Sequence, residues 1–368
     1  MKKLGFGTMR LPLLNPEDNK SVDLEQFKAM VDAYLAAGFT YFDTAYMYHS
    51  YQSEIFVREG LVKRHPRESF LLADKLPSMQ LKADGDQERI FAEQLEKCGV
   101  EYFDYYLIHC LDVENYEKAK RFDSFGFVSQ LKAEGKVRKM GFSFHDTAEV
   151  LDGILQDHPE VDFVQIQLNY MDWESESIQS RKCYEVCLKH GKDIIVMEPV
   201  KGGMLANVPA RVTALMTSAH TDWSPASWAI RFAAGCQNVI MVLSGMSNME
   251  QLQDNMSYMS EFTPLKGEEI ELLWKAVQII HEDIAVACTA CRYCVEGCPK
   301  QIEIPKYFSL YNALRTNADP AALKAEYTEA VQNYGKASDC IGCRKCVKAC
   351  PQHIRIPVAL KQVAKAFE

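Results

Sequence analysis

The sequence predicts an α/β protein, a (β/α)8 TIM barrel followed by a small, mainly α-helical, cysteine-rich domain. Three observations carry this. Short apolar runs alternate with helical stretches eight times over about the first 260 residues. An open dinucleotide-binding sheet would place G-x-G-x-x-G after its first strand, and the chain offers Gly5-Phe6-Gly7-Thr8-Met9-Arg10, without the third glycine. Eight of the thirteen cysteines fall into two copies of one spacing near the C-terminus. The predicted divisions are a barrel over 1–265, a connecting helix over 266–285 and the cysteine-rich domain over 286–368.

Eight strands are expected, at Lys3–Phe6, Tyr41–Asp43, Phe70–Lys75, Tyr105–His109, Lys139–Ser143, Phe163–Gln167, Ile194–Glu198 and Val239–Ser244. The first intervening helix is the clearest. Asp23-x-x-Gln26 has the pattern of a capping box, Phe27, Met30, Val31, Tyr34 and Leu35 form an apolar stripe, and Gly38 ends it. In a closed barrel, chemistry gathers at the C-terminal ends of the strands. In the connecting helix, Ile270, Leu273, Trp274, Val277, Ile280 and Ile284 make a stripe that predicts docking on the barrel rather than a loose tether.

The cysteine motifs read Cys288-x-x-Cys291-x-x-Cys294-x-x-x-Cys298-Pro299 and Cys340-x-x-Cys343-x-x-Cys346-x-x-x-Cys350-Pro351. Three thiolates at this spacing reach three corners of one cubane, and the displaced fourth, before proline, ligates the other. This assigns Cys288, Cys291, Cys294 and Cys350 to one 4Fe-4S cluster, and Cys340, Cys343, Cys346 and Cys298 to a second. Structural zinc, which favours paired C-x-x-C units, fits the pattern poorly. The tail resembles the bacterial two-cluster ferredoxins. The helical stretches Tyr307–Arg315 and Ala321–Tyr334 between the motifs make it most similar to the α-helical ferredoxins of multi-domain redox enzymes. Each motif is followed by a like phrase, Pro299-Lys300-Gln301-Ile302-Glu303-Ile304-Pro305 and Pro351-Gln352-His353-Ile354-Arg355-Ile356-Pro357, which predicts a pseudo-twofold domain.

Three successive strand ends carry Asp43, Lys75 and His109, with Tyr48 five residues after the aspartate. With Asp43-Thr44-Ala45 and Asp104-Tyr105-Tyr106-Leu107-Ile108-His109, these residues resemble the catalytic tetrad of the aldo-keto reductases, over roughly residues 3–260. The resemblance implies that Tyr48 is the general acid or base at a carbonyl or alcohol oxygen. It implies that Lys75 lowers the phenol's pKa, that Asp43 holds Lys75, and that His109 orients the substrate. Residue by residue, simpler readings exist: Lys75 could pair with neighbouring Asp74, and Tyr46 and Tyr48 could be packing aromatics.

The same resemblance places Ser143 and Gln165 at a nicotinamide carboxamide, with Phe144 where the family has asparagine and Met197 where many members stack an aromatic ring. After the eighth strand it places Ser244, Gly245, Gln251 and Asn255 along the nucleotide. Gly245 and Gln251 replace the lysine and arginine that grip a 2′-phosphate, which puts a preference for NADP in doubt and leaves NAD, NADP and a flavin open. Backbone amides after Gly245 could receive a pyrophosphate. His145 and Trp173 are further loop residues that could face substrate or pack. Cys98, Cys183, Cys187 and Cys236 read as packing residues, and Cys110, directly after His109, could line the site or be buried.

Charge is unevenly spread. From Cys288 onward there are 12 Lys+Arg against 7 Asp+Glu, a formal +5, and the remainder, 29 against 43, carries −14 of the total −9. Two oxidised clusters with their thiolates bring about −4 and nearly offset the tail. The basic excess either solubilises the tail or receives an acidic electron carrier such as a ferredoxin. The acidic total argues against nucleic acid as the main partner. No apolar run approaches the roughly 18 residues of a membrane span, and no secretory signal is read, so a cytoplasmic protein is expected. The combined expectation is an oxidoreductase acting on a small carbonyl or alcohol, with clusters that carry electrons or that only hold structure. A non-catalytic redox sensor or docking subunit is the contrasting expectation.

Overall fold

The computed structural model describes residues 2–315 and 318–368; Met1, where the predicted barrel range begins, lies outside them. Residue contacts divide the chain into two compact units. The first comprises Met1–Ser175, Gln179–Pro199 and Ser227–Leu265, and the second Glu176–Ile178, Val200–Ala226 and Lys266–Glu368.

The first unit holds a closed barrel of eight parallel strands in sequential order. They are β1 (Leu4–Gly7), β2 (Tyr41–Asp43), β3 (Leu71–Leu76), β4 (Phe103–Leu111), β5 (Val137–Phe144), β6 (Phe163–Gln167), β7 (Asp193–Met197) and β8 (Val239–Ser244). β2, β6 and β8 have the predicted bounds, and the others differ by one or two residues at each end.

A buried layer of Tyr41, Ala73, Leu107, Phe163, Ile195, Met241 and Leu243 fills the barrel interior. Glycine makes room for these large rings. A Cβ on Gly141 would stand 2.5 Å from the Phe163 carbonyl oxygen, and one on Gly5 2.7 Å from Leu243 Cδ2. Side chains in a strand repeat their direction every second residue. Two residues beyond this layer, on the same face, come Asp43, Lys75, His109, Gln165 and Met197. The apolar plug therefore fixes which polar side chains reach the C-terminal mouth.

The first helix runs Leu24–Ala36, and its apolar stripe buries Phe27, Met30, Val31 and Tyr34. Only half of the expected capping box forms. Asp23 Oδ1 accepts from Gln26 N at 3.0 Å, whereas the Gln26 amide turns to Asp23 Oδ2 instead of the cap backbone. The Asp23 N–H is already taken by the Pro12 carbonyl.

In the second unit the helix Gly267–Asp283 buries Leu273, Ala276 and Ile280 and packs with the helix Ala210–Ala219. The helices Ile304–Ala313, Pro320–Ala330 and Ile356–Phe367 enclose a core built on Tyr307, Phe308, Tyr327, Leu360 and Phe367. The repeat seen in the sequence extends to the backbone. The left-handed residues Ala290, Arg292 and Gln301 recur as Gly342, Arg344 and His353, each displaced by the interval that separates Cys288 from Cys340. Pro305 and Pro357 both stand in the first turn of a helix, where a missing N–H costs nothing. Among the described residues no helix is long and apolar enough to cross a membrane.

Candidate functional site

The mouth of the barrel brings the four predicted residues together. Lys75 is fully buried and donates from Nζ to Asp43 Oδ1 and to the Thr44 carbonyl, both at 2.6 Å. Its side chain thus pairs with Asp43, while the contact of Lys75 with Asp74 is through its backbone N–H, at 2.8 Å. The Lys75 ammonium stands 5.0 Å from the centre of the Tyr48 ring, and the His109 ring lies 6.2 Å from that ring at 79°. Tyr48 is followed by a left-handed run, His49, Ser50 and Tyr51. His49 fixes this run through Nε2 to the Thr8 carbonyl at 2.9 Å and Nδ1 to the Asn19 carbonyl at 2.6 Å. His109 sits where the β4–β5 ladder loses register between Ile108 and Leu111, and Cys110 beside it has φ 59°. A bulge of this kind re-aims a side chain.

The electrostatics follow from burial. Burial, reinforced by the Asp43 carboxylate, pushes the Tyr48 phenol well above its ordinary range. The expected lowering by Lys75 does not prevail, because Asp43 already holds the ammonium and the ring is desolvated. His109 is held well below the usual imidazole value by burial, then by Lys75 and His145. A neutral imidazole facing a protonated phenol results, and His109 Nδ1 and Asp43 Oδ2 are buried without a hydrogen-bond partner.

A second polar group lies beside Lys75 and was not legible in the sequence. Asp74, Glu54 and Cys98 are buried together, with Cys98 Sγ donating to Asp74 Oδ2 at 3.8 Å and Lys97 Nζ 3.4 Å from Glu54 Oε2. Burial lifts Glu54 to about 7.

Around the mouth, Ser143 Oγ accepts the Cys110 N–H at 2.7 Å, and the Gln165 amide donates to Met197 Sδ at 3.6 Å. Gln165 Oε1 is buried with no partner, an acceptor of the kind that a carboxamide N–H satisfies. Ser244 Oγ donates to Asn255 Oδ1 at 2.7 Å, and both residues are buried. Gln251 turns back to accept the Ser247 N–H at 2.8 Å, so its side chain closes the turn before the helix Met249–Met259. Beside this turn is a cation that sequence reasoning missed. A Cβ on Gly245 would lie 3.3 Å from both Cβ and Cδ of Arg10, whose carbonyl accepts Ser247 Oγ at 2.9 Å. The absence of a side chain at position 245 leaves room for the aliphatic stem of Arg10. His145 Nδ1 is 3.0 Å from Gln167 Nε2, and Trp173 packs on Tyr184 and Phe232. Cys98, Cys183 and Cys187 are buried, as expected, whereas Cys110 and Cys236 are only partly buried.

In the second unit the eight motif cysteines line two cradles. One is lined by Cys288, Cys291, Cys294 and Cys350, the other by Cys298, Cys340, Cys343 and Cys346. Each takes three cysteines from one motif and one from the other. Four cysteines at each cradle are a donor set that suits an iron-sulfur cluster. The first cradle has a cover. Val200–Gly203 forms a turn in which Lys201, Gly202 and Gly203 all have positive φ. A Cβ on Gly202 would fall 2.4 Å from the Thr289 carbonyl oxygen, so only glycine permits this approach.

Two family models match the chain. Residues 3–278 match the aldo/keto reductase family, and residues 287–355 match a 4Fe-4S dicluster domain. The chain belongs to the aldo/keto reductase family. This aldo/keto reductase is an oxidoreductase that carries a C-terminal iron-sulfur domain. No curated protein matches it. Solved structures similar to it include the aldo-keto reductase AKR11C1 from Bacillus halodurans in its holo form, at 22% identity and TM-score 0.58, covering 74% of this chain and 91% of that one. An aldo-keto reductase from Klebsiella pneumoniae in complex with NADPH is 20% identical, with TM-score 0.58 and coverage of 74% and 90%. One from Brucella melitensis is 20% identical, with TM-score 0.56 and coverage of 74% and 94%. At these identities the likeness is one of fold.

Proposed function

We propose that this aldo/keto reductase interconverts a small carbonyl compound and its alcohol, with Tyr48 as the proton donor or acceptor. The observation that carries the reading is the Lys75 ammonium, locked by Asp43 at 2.6 Å and facing the Tyr48 ring at 5.0 Å. In the reductive direction Tyr48 gives its phenolic proton to the carbonyl oxygen. Lys75 stabilises the phenolate that remains, and Asp43 keeps Lys75 from moving away. His109, neutral at physiological pH, holds the substrate oxygen in line.

A bound nicotinamide dinucleotide would supply or receive the hydride. Ser143 and Gln165 are suited to its carboxamide, and Ser244, Gly245 and Asn255 line the stretch toward the helix Met249–Met259. The NADPH bound by the Klebsiella pneumoniae protein supports this cofactor class. Arg10 makes NADP a better candidate than the sequence alone suggested.

The two cradles suit two 4Fe-4S clusters, which transfer single electrons when present. Exchange with an external electron carrier would connect the barrel reaction to a one-electron pool. A two-to-one electron converter such as a flavin is then required. The test is anaerobic turnover with nicotinamide nucleotide and a panel of aldehydes and ketones, followed by electron paramagnetic resonance of the clusters. Tyr48→Phe should lower kcat about 10²–10⁴-fold with little change in nucleotide affinity. Undiminished turnover would remove Tyr48 from the reaction. Clusters that never change state during turnover would reduce them to structural clasps.

A further inference from the structure

The two cysteine repeats are equal in spacing but not in surroundings. Thr289, inside the first motif, is 2% exposed under the Gly202 turn, whereas its counterpart Ile341 is 63% exposed. Cys291 is partly buried and its counterpart Cys343 is exposed. Arg292 forms a two-bond ion pair with Glu303, at 2.7 and 2.9 Å. In the second repeat the equivalent positions are Arg344 and Arg355, so the neutralising acid has become a further cation. Tyr293 and Glu296 likewise give way to Lys345 and Lys348. Arg344, Lys345 and Arg355 are exposed and form no ion pair among the described residues. Two exposed acids lie near this repeat: Asp339 accepts the Lys336 N–H, and Glu368 accepts the Ser338 N–H and the Tyr327 hydroxyl.

Resting on the reading that both cradles hold 4Fe-4S clusters, we infer that the surface around Ile341 and Cys343 is the electron port, and that its partner is a small acidic one-electron carrier protein. Electron transfer favours a cluster whose ligand reaches the surface. An exposed apolar side chain that shares its cradle with Lys300 and Arg344, with Lys345 and Arg355 exposed in the same repeat, matches an acidic partner with an apolar centre. The step moves one electron and no atoms. A reduced carrier is oxidised by one electron, and the cluster of Cys298, Cys340, Cys343 and Cys346 goes from its oxidised to its one-electron-reduced state. The first repeat, covered and locally balanced in charge, is not the docking face.

The test uses the full holoprotein and stopped-flow reduction by a reduced acidic two-cluster bacterial ferredoxin, at low and high salt. The double variant K345E/R355E should lose about tenfold or more of the second-order rate at low salt and lose its salt dependence. Reduction by photoreduced deazariboflavin, a small neutral donor, should stay unchanged, as should iron content. Tyr293→Glu, on the other repeat, should leave the ferredoxin rate as in the parent. A parent-like rate in K345E/R355E, or an equal loss in Tyr293→Glu, overturns the port. A parent protein without iron, sulfide or a cluster signal overturns the cluster reading itself, and the port with it.

Discussion

Lys201 donates from Nζ to Oε1 of Gln352 across 2.9 Å, and both side chains are buried beside the cradle that Cys350 helps to line. A buried cation favours the electron-richer state of a neighbouring cluster. Lys201→Gln should move the midpoint of one cluster to more negative potential, on the order of tens of millivolts, and leave the other in place. Lys201→Arg should retain most of the parent value. A redox titration followed by electron paramagnetic resonance distinguishes these outcomes, and two unmoved midpoints in Lys201→Gln would refute the assignment.

Gly202 makes a second prediction. Its φ of 65° and its approach to Thr289 leave no room for a methyl group. Gly202→Ala should lower iron and sulfide per chain, because the turn must lift from the first motif. Gly153→Ala, a helix position with open space around it, should keep the parent iron content. Equal iron in both variants would show that the turn is dispensable.

The stem of Arg10 beside Gly245 bears on nucleotide choice. A guanidinium binds a phosphate ester far more strongly than a free ribose hydroxyl in the same place. Arg10→Met should weaken NADPH binding about tenfold relative to NADH, or about 1.4 kcal/mol. Fluorescence titration with both nucleotides gives the ratio, and an equal effect on the two would assign Arg10 a merely structural part.

Glu54 supplies a pH dependence. Its folded value of about 7 lies above the ordinary 4.5, because burial disfavours the carboxylate. Between these values the folded chain holds a proton that the unfolded chain has released. Stability from this group is therefore full below about 4.5 and declines as pH rises toward 7, by at most about 3 kcal/mol. Urea unfolding at pH 5 and pH 8 should show a smaller drop in Glu54→Gln than in the parent. An identical drop in both would place the titration elsewhere.

The barrel was legible because its strands are short apolar runs bounded by turns, and each chemical residue stands two positions past a packing residue. The cysteine spacing likewise announced the two cradles, since thiolate reach depends on local chain geometry. Other features depend on distance in space. Arg10 meets Gly245 only because β1 closes the barrel against β8. Lys201 meets Gln352 across 151 residues of chain. Gln251 occupied a cofactor position by register, yet its short polar side chain found a nearer donor in the Ser247 N–H. The phenol of Tyr48 was expected to be acidified by a lysine, and burial together with the competing carboxylate of Asp43 reverses the direction.

The crossed sharing of Cys298 and Cys350 sets an order of birth. Synthesis must enter the second motif before either cradle owns four cysteines. The cradle of Cys298 is complete at Cys346, and that of Cys288 only at Cys350. Neither motif alone supplies four cysteines to a cradle, so a cut between the motifs leaves two fragments that each need the other's sulfur. The two cradles are thus completed in turn along the chain, and a single cut between the motifs takes both apart.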